Sequence, residues 1–375
     1  MTQRLSDWLL GEGRRAGRLS ELLGGLCARL REAGVPVERA TLGSPLLHPI
    51  AQSSYAAWSL EAGSRDEWFR WTPDNLKVLA NSPIHDIYVH GRGHRLKLGR
   101  RRDRERFGIG PELAAQGYSE YAAIPLPFSD GSHKAFTVAT RRPGGFTDGQ
   151  YAALAAVALP LSAVLETLVL RRTAATLLDT YVGRRSGRQV LDGRIRRGDG
   201  EHLGAAIWMS DLRNFTGLST RIGEAALLAM LNRYFEAVTG AVDAHGGETL
   251  KFIGDAVLAI FPTDGEAAVA RAEAAADQAL AATAAPDWPD GLAFGIALHL
   301  GEVFYGNVGG AERLDFTVIG PAVNRVSRIE GLCGRLGQPL LVSAEFAAAS
   351  RRAYASAGRF ELKGIAGETE VLRPG

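Results

Sequence analysis

"GGETLKFIGDAVLAIF", residues 246–261, reads as a buried β-hairpin interrupted by two charges. Without Lys251 and Asp255 the stretch is apolar residues around a glycine turn. An unpaired buried charge costs several kcal/mol. The two charges therefore either pair with each other or face a pocket that holds something charged.

The sequence around the hairpin sets its frame. "LGAAIWMSDL" (203–212) is a strand that runs into Asp211. A helix follows at about 223–244, with Leu227, Leu231, Phe235, Val238 and Val242 on one face and Gly246 beyond its end. After the hairpin, Asp264 caps an Ala-rich helix that stops before Pro286, and "LAFGIALHLG" (292–301) is a further strand. Strand, helix, strand, strand, helix, strand is the ferredoxin-like βαββαβ order of an α+β domain. More elements follow: a strand at "DFTVIG", a helix at "PAVNRVSRIEGLCGRL" with Pro321 in its first turn, a strand at "PLLVS", and a terminal pair, "FELKGI" and "ETEVLRP".

In a ferredoxin-like sheet the first strand lies beside this hairpin, so Asp211 and Asp255 reach one spot. Two carboxylates at a shared site suit a pair of Mg²⁺ ions whose shells are completed by substrate phosphates. The plain alternatives are an Asp211 that caps the next loop and an Asp255 that is an ordinary turn residue. Lysine usage adds a signal. Only five of 43 basic residues are Lys, and of these only Lys251 and Lys363 follow residue 203, both within runs that read as strands. A compact ammonium is wanted at such places in a chain that otherwise uses Arg. Asn324 and Arg328 are four apart on one helix and share a face, from which an Arg can grip a phosphate. "DLRNFT" (211–216) offers backbone N–H groups to phosphates.

"SDLRNFTGLS", "LKFIGDAVLAIF", "FTVIGPAVNRVSRIEG" and "FELKGI", in this order and spacing, resemble the class III nucleotidyl cyclase catalytic domain over about residues 204–373. The resemblance implies a metal site at Asp211 and Asp255 with Leu212, holding two Mg²⁺ per site, for which Mn²⁺ can substitute. It implies a purine-reading Lys251, with Thr317 at a position that is Asp in many adenylate cyclases and Thr in one subclass. Asn324 and Arg328 match the residues that orient the ribose and stabilise the transition state. Lys363 matches the lysine on the terminal phosphates, and Phe215 and Thr216 join the substrate-binding set. Pro321 departs from the commoner Asp after the glycine. In this family the site forms between two domains, one giving the aspartates and the other Lys, Thr, Asn and Arg, so a chain with one such domain is expected to work as a homodimer. The expected reaction is attack of the ATP 3′-hydroxyl on the α-phosphorus, giving 3′,5′-cyclic AMP and pyrophosphate. Adenine is read by Lys251 donating to N1 and Thr317 accepting from N6. The alternatives are a catalytically silent homologue that binds ligand as a signalling or scaffolding dimer, and a nucleic-acid-binding protein.

The remainder of the chain is read as a helical segment (1–35), a sensor domain (36–147) and a signalling helix with linker (148–203), ahead of the cyclase domain (204–375). Leu5, Leu9, Leu19, Leu22, Leu23, Leu26 and Leu30 make the first segment amphipathic. "AAIPLPFSDGSHKAFTVAT" (122–140) is two strands around an Asp-Gly turn. With the helix that leaves it, this stretch resembles the end of a GAF-type α/β sensor for an unknown small-molecule or protein signal; His48 is a candidate ligand contact, with a structural histidine the favoured reading. Thr147 and Gln150 have capping-box spacing at the start of a long helix, about 148–182. Leu154, Leu161 and Leu168, with Val157 and Val164 between them, suggest a parallel dimer seam. The uncharged run 151–165 is short for a membrane span, so no membrane is expected. "VGRRSGRQVLDGRIRRGDGEH" (182–202) reads as a polar linker.

Charge is uneven. Residues 204–375 carry 14 Lys and Arg against 20 Asp and Glu, and the first 203 carry 29 against 21. The basic stretch 90–106 holds eight Arg or Lys, but Asp103 and Glu105 interrupt it, so a solvated loop is expected and no nucleic-acid partner. Two cysteines, Cys27 and Cys333, and a charged N-terminus without signal-peptide character point to a cytoplasmic protein.

Overall fold

The computed structural model describes residues 2–44, 54–68, 72–262 and 266–375 and divides into two compact units, Met1–Leu177 and Leu178–Gly375. His48 and Asp264 lie outside the described residues.

The N-terminal unit opens with α1 (Thr2–Leu10) and α2 (Leu19–Glu32). All seven leucines of the amphipathic pattern are buried, and they share one core with the sheet that follows. Residues 1–35 are thus part of the unit and not a separate segment. The sheet is built from β1 (Arg39–Ser44), β2 (Ser54–Ser59), β3 (Gly63–Trp68), β4 (His94–Lys97), β5 (Glu120–Pro127) and β6 (His133–Thr140). Its strands are all antiparallel, in the order β3-β2-β1-β6-β5-β4. Between β3 and β5 lie α3 (Pro73–Ala80), α4 (Pro83–His90), α5 (Arg101–Arg104) and α6 (Ile109–Ala115). Ile87 and Leu113 of α4 and α6 cover a second, smaller core with Leu96, Tyr121 and Ala135.

The basic stretch turns partly inward. Glu120 is fully buried, and it accepts from Arg95 Nε at 2.6 Å, from the Lys97 ammonium and from the Phe146 amide at 2.9 Å. A buried carboxylate needs such a donor set, so two of the eight cations are structural.

The capping box is present: Thr147 and Gln150 bond each other's backbone at the start of α7 (Asp148–Ala156), which leads into α8 (Ala158–Tyr181). The dimer seam expected at Leu154, Val157, Leu161, Val164 and Leu168 is corrected. All five are buried in the N-terminal unit's own core. A seven-residue apolar repeat marks a face that is covered, and here the cover is the unit's own sheet and helices. The opposite face leaves Leu159, Leu170, Leu177 and Tyr181 exposed. By length and composition the run Asp148–Tyr181 can cross a membrane, and half of its most apolar window is buried inside the protein.

The C-terminal unit contains α9 (Arg184–Leu191), β7 (Gly200–Leu212), α10 (Phe215–Ser219), α11 (Glu224–Ala244), β8 (Glu248–Ile253), β9 (Ala256–Pro262), α12 (Glu266–Ala281) and β10 (Phe294–Gly309). After these come β11 (Leu314–Ile319), α13 (Pro321–Leu336), β12 (Leu340–Ser343), α14 (Ala344–Ala348), β13 (Tyr354–Glu361) and β14 (Glu368–Pro374). The sheet order is β13-β14-β12-β10-β7-β9-β8, with β11 on β10. Within it β10-β7-β9-β8 is the ferredoxin-like arrangement of the βαββαβ unit. Period-two alternation along β7 divides its side chains. Ala206 and Trp208 join the core that holds α11 and α12, while Ala205, Ile207 and Met209 join the core that holds α13.

Two expectations change here. β13 stops at Glu361, so Lys363 stands exposed in the turn before β14 and not on a strand. The segment read as a polar linker is docked: α9 is anchored on the sheet, and β7 begins at Gly200, ahead of residue 204. The anchor is a buried polar cluster. Glu248 Oε1 accepts from the Ser186 amide at 2.9 Å and from its hydroxyl at 3.0 Å, and Glu248 Oε2 accepts from the Tyr305 hydroxyl at 3.0 Å.

Candidate functional site

β7 delivers Asp211 at its C-terminal end, and the β8–β9 turn delivers Asp255. β7 and β9 are direct neighbours, with Ser210 opposite Val257, so the two carboxyl groups meet and hydrogen-bond. Ser210 Oγ, held by the Tyr234 hydroxyl at 2.9 Å, fixes the strand end below them. Burial pushes the Asp211 carboxyl up to about 7, helped by the hydrogen bond and charge of Asp255 and by the charge of Glu330. A half-buried pair of carboxyl groups in this state is short of positive charge, and a divalent cation would supply it. Among the described residues no group of three or more His, Cys, Asp or Glu has metal-holding geometry. The pair therefore suits a cation that takes its other ligands from phosphate and water. The Leu212 side chain is packed in the core with α11 and α12, so only its main chain is left for a metal.

Glu330 was not singled out from sequence. It projects from α13 beside the Asp211 strand end, where a methyl group on Gly295, the ladder partner of Asp211, would stand 3.2 Å from its Oε1. Burial pushes its carboxyl to about 7, against the pull of Arg213. Its signal in the sequence was a carboxylate beside the apolar stripe of Val326, Ile329, Leu332 and Cys333.

The loop after β7 turns sharply at Asn214, in the left-handed region at φ 56°. The amides of Leu212 and Arg213 are committed to Asp211 and to Ala293 O, and Phe215 and Thr216 open α10. Arg213 spends its guanidinium on the carbonyls of Cys333 and Gln338.

A second group forms around Lys251. Its ammonium lies 3.0 Å from Asp315 Oδ2. Both residues line a cavity of about 670 Å³ whose apolar wall includes Tyr181, Val190, Leu250 and Phe316. Thr317, two residues from Asp315, is 5% exposed, and its Oγ1 is buried without a hydrogen-bond partner among the described residues. An orphaned hydroxyl of this kind is costly unless something completes it.

The third group lies on α13, started by Pro321 at its first turn. Asn324 and Arg328 share an exposed face, and among the described residues neither side chain has a hydrogen bond or ion pair. Lys363 is likewise exposed. The structure thus joins Asp211 to Asp255 and sets Lys251 against Asp315, two residues before Thr317. It leaves Asn324, Arg328 and Lys363 facing outward, with no hydrogen bond or ion pair to the aspartate pair among the described residues.

Residues 201–371 match the family model described as the adenylate and guanylate cyclase catalytic domain. An adenylate cyclase of Anabaena cylindrica is 34% identical over 145 residues, covering 36% of this chain and 29% of that protein. An uncharacterized protein of Mycobacterium tuberculosis is 34% identical over 185 residues, covering 47% of this chain and 32% of its own length. The chain spans about a third of the length of the curated relatives it matches. Among solved structures, a bacterial light-regulated adenylyl cyclase aligns with a TM-score of 0.47 at 25% identity, covering 57% of this chain and 63% of that one. Residues 201–371, which hold the paired aspartates, are thus similar to the adenylate and guanylate cyclase catalytic domain over a little under half of the chain.

Proposed function

We propose that this protein is an adenylate cyclase that converts ATP to 3′,5′-cyclic AMP and pyrophosphate. The observation that carries the reading is the Asp211–Asp255 carboxyl pair, held by adjacent strands in a domain of cyclase type. Bound Mg²⁺, or Mn²⁺ in its place, would act as the Lewis acid for the 3′-hydroxyl and the α-phosphate, two ions per site. Asp211 and Asp255 bind and orient through their carboxylates, with the Leu212 main chain beside them. Lys251 and Thr317 receive the base, Lys251 donating to adenine N1 and the Thr317 hydroxyl accepting from N6. Asn324 orients the ribose, Arg328 offsets charge that builds on the α-phosphate, and Lys363 holds the terminal phosphates. Phe215 and Thr216, in the first turn of α10, would complete the phosphate-binding set.

The outward-facing Asn324, Arg328 and Lys363 support a site shared between two copies of the chain. Phe252, Ile253 and Ile319, each about half exposed, supply apolar surface for such an interface. ATP as substrate is supported by the relative named adenylate cyclase and by the Lys251–Thr317 pair. A silent homologue is disfavoured, because each residue that the chemistry needs is in place in the sequence. The antiparallel sheet of the N-terminal unit, preceded and followed by helices in the chain, supports a GAF-like sensor, which in this reading acts through α8; a cytoplasmic location belongs to the same proposal.

The test is cyclic nucleotide formation by the purified chain from ATP and from GTP, with Mg²⁺ or Mn²⁺, resolved by chromatography. Cyclic AMP as the main product is expected. Absence of cyclic nucleotide from either substrate, with both metals, overturns the reading.

A further inference from the structure

The Ser186–Glu248 anchor divides the segment it holds into two sides. In α9 the buried Ser186 and Gly187 and the partly buried Val190 turn to the sheet. Arg184, Arg188 and Leu191, at helical spacing i, i+4 and i+7, share the opposite face, and all three are exposed. The chain that follows keeps this character: Arg194, Ile195, Arg196 and Arg197 are exposed as well. Residues 184–197 thus carry six Arg against a single Asp, Asp192, whereas residues 204–375 carry 14 Lys and Arg against 20 Asp and Glu. A basic strip on an otherwise acidic unit gives that unit an electrostatic front and back.

Two of the six arginines are matched locally. Arg185 lies 3.2 Å from Glu201, and Arg184 draws the Asp243 carboxyl towards its charged form. The side chains of Arg188, Arg194, Arg196 and Arg197 have no ion pair or hydrogen bond among the described residues. Leu191 and Ile195 stand among them, 51% and 58% exposed. Apolar residues scattered singly over a surface are ordinary. Here both are held within a cluster of unmatched guanidinium groups, with Ile195 directly between Arg194 and Arg196.

The partner that fits is anionic over an area and apolar just below its charges. A bilayer with anionic headgroups has both properties: guanidinium forks take phosphate oxygens, and Leu191 and Ile195 enter the boundary of the acyl chains. A second copy of this chain would set the strip against like charge. Single-stranded nucleic acid rewards aromatic stacking, and residues 184–197 contain no aromatic side chain.

We propose that the Arg184–Arg197 strip docks the C-terminal unit on an anionic lipid surface. The contact is peripheral and needs no spanning helix. It stands apart from the cyclase reading, since none of its arginines belongs to the nucleotide or metal groups.

The experiment is flotation of the full chain with vesicles of phosphatidylcholine alone or mixed with phosphatidylglycerol, at low and at high salt. Binding to the mixed vesicles that falls as salt rises is expected, with little binding to phosphatidylcholine alone. Arg188→Gln, Arg194→Gln and Arg197→Gln combined are expected to lower partitioning roughly a hundredfold, at about fivefold for each charge. Lys at the same positions keeps the charge and should retain most of the binding. Leu191→Ser with Ile195→Ser should lower binding to the mixed vesicles about tenfold. All these side chains are exposed, so each variant is expected to melt as the wild type does; where the Gln variant does not, the Lys variant and the salt dependence decide. Equal binding to both vesicle types, which insertion of the apolar 148–181 helix would give, overturns the proposal. So does a Gln variant that binds as the wild type does, or a Lys variant that loses as much as the Gln variant. Displacement from the vesicles by duplex RNA, together with unchanged binding of the Leu191 and Ile195 variant, assigns the strip to nucleic acid and overturns lipid docking too.

Discussion

Ser186 gives both its amide and its hydroxyl to a single oxygen of Glu248, at 2.9 and 3.0 Å. The other oxygen of that carboxylate takes the hydroxyl of Tyr305, itself 2.8 Å from Ser186 Oγ. Ser186 and Tyr305 are fully buried and Glu248 is 8% exposed. A carboxylate removed from water needs these donors, so the cluster locks α9 to β8 and β10. Tyr305→Phe leaves one Glu248 oxygen without its donor. It is expected to destabilise the C-terminal unit by about 1–3 kcal/mol in urea or thermal unfolding. Ser186→Ala should cost a similar amount, and the two losses should be less than additive because the residues share one network. Full additivity would mean that the three groups do not act as a unit.

Gly183 marks the approach to this cluster. Its φ is +95°, and a Cβ there would meet Glu248 Oε1 at 2.9 Å and Thr249 O at 3.3 Å. Gly183→Ala is therefore expected to cost about 1–3 kcal/mol and to loosen α9 from the sheet. Inserting one or two residues within 192–199, beyond α9, leaves the cluster intact. An insertion at 182–183 displaces it from the incoming helix. The second insertion is expected to change cyclase activity much more than the first. Equal effects would place the coupling elsewhere than in the Ser186–Glu248 contact.

The sequence made the chemistry more legible than the packing. Asp211, Lys251, Asp255, Thr317, Asn324 and Arg328 stand in short runs whose residue types are hard to explain as core or as solvated surface, and the strand and helix order around them was readable from period and punctuation. Leu154, Leu161 and Leu168 were misread because a repeat shows that a face is covered and not by what. Lys363 was read as a strand residue because "FELKGI" is apolar enough, yet Leu362 and Gly364 turn the chain. Residues 182–202 looked like a linker because Gly and Arg dominate the stretch. What docks it is one serine and one distant glutamate, a pairing with no local signal. Asp315 was passed over for the same reason, since its partner Lys251 is 64 positions away.

The aspartate pair makes a statement about pH. Asp211 in the unfolded chain ionises near 3.8, the ordinary value for an aspartate, while in the folded domain it keeps its proton up to about 7. Between those values folding takes up a proton, so the metal-free domain loses stability as pH rises from about 4 to about 7 and levels off above that. A divalent cation needs the ionised pair and competes with the proton. Melting curves with and without Mg²⁺ should show a small gain at pH 6 and a larger one at pH 8. Glu330→Gln should flatten the metal-free slope, since Glu330 is raised in the same way, yet keep a Mg²⁺ response. Asp211→Asn should abolish the response. A Mg²⁺ gain independent of pH would mean that the cation does not displace this proton.

Asp211 and Arg328 also test where the site is built. Asp211→Ala removes the carboxylate half of a shared site and leaves Asn324 and Arg328 untouched, and Arg328→Ala does the reverse. If each site draws its aspartates from one chain and its arginine from the other, both homodimers carry two damaged sites. The mixed dimer is different. One of its sites receives an intact Asp211 from one chain and an intact Arg328 from the other, while its second site collects both defects. Co-expression of the two variants with separable tags, followed by purification of the doubly tagged species, should therefore yield activity at roughly half that of a wild-type dimer, since one of two sites is whole. Each singly tagged variant should stay near background. The exposure of Asn324, Arg328 and Lys363 on a chain that keeps its carboxylates together at the end of β7 and in the β8–β9 turn is the reason to expect rescue. A site closed within one chain gives none at any ratio, and that result would overturn the shared-site geometry even for a protein that makes cyclic AMP.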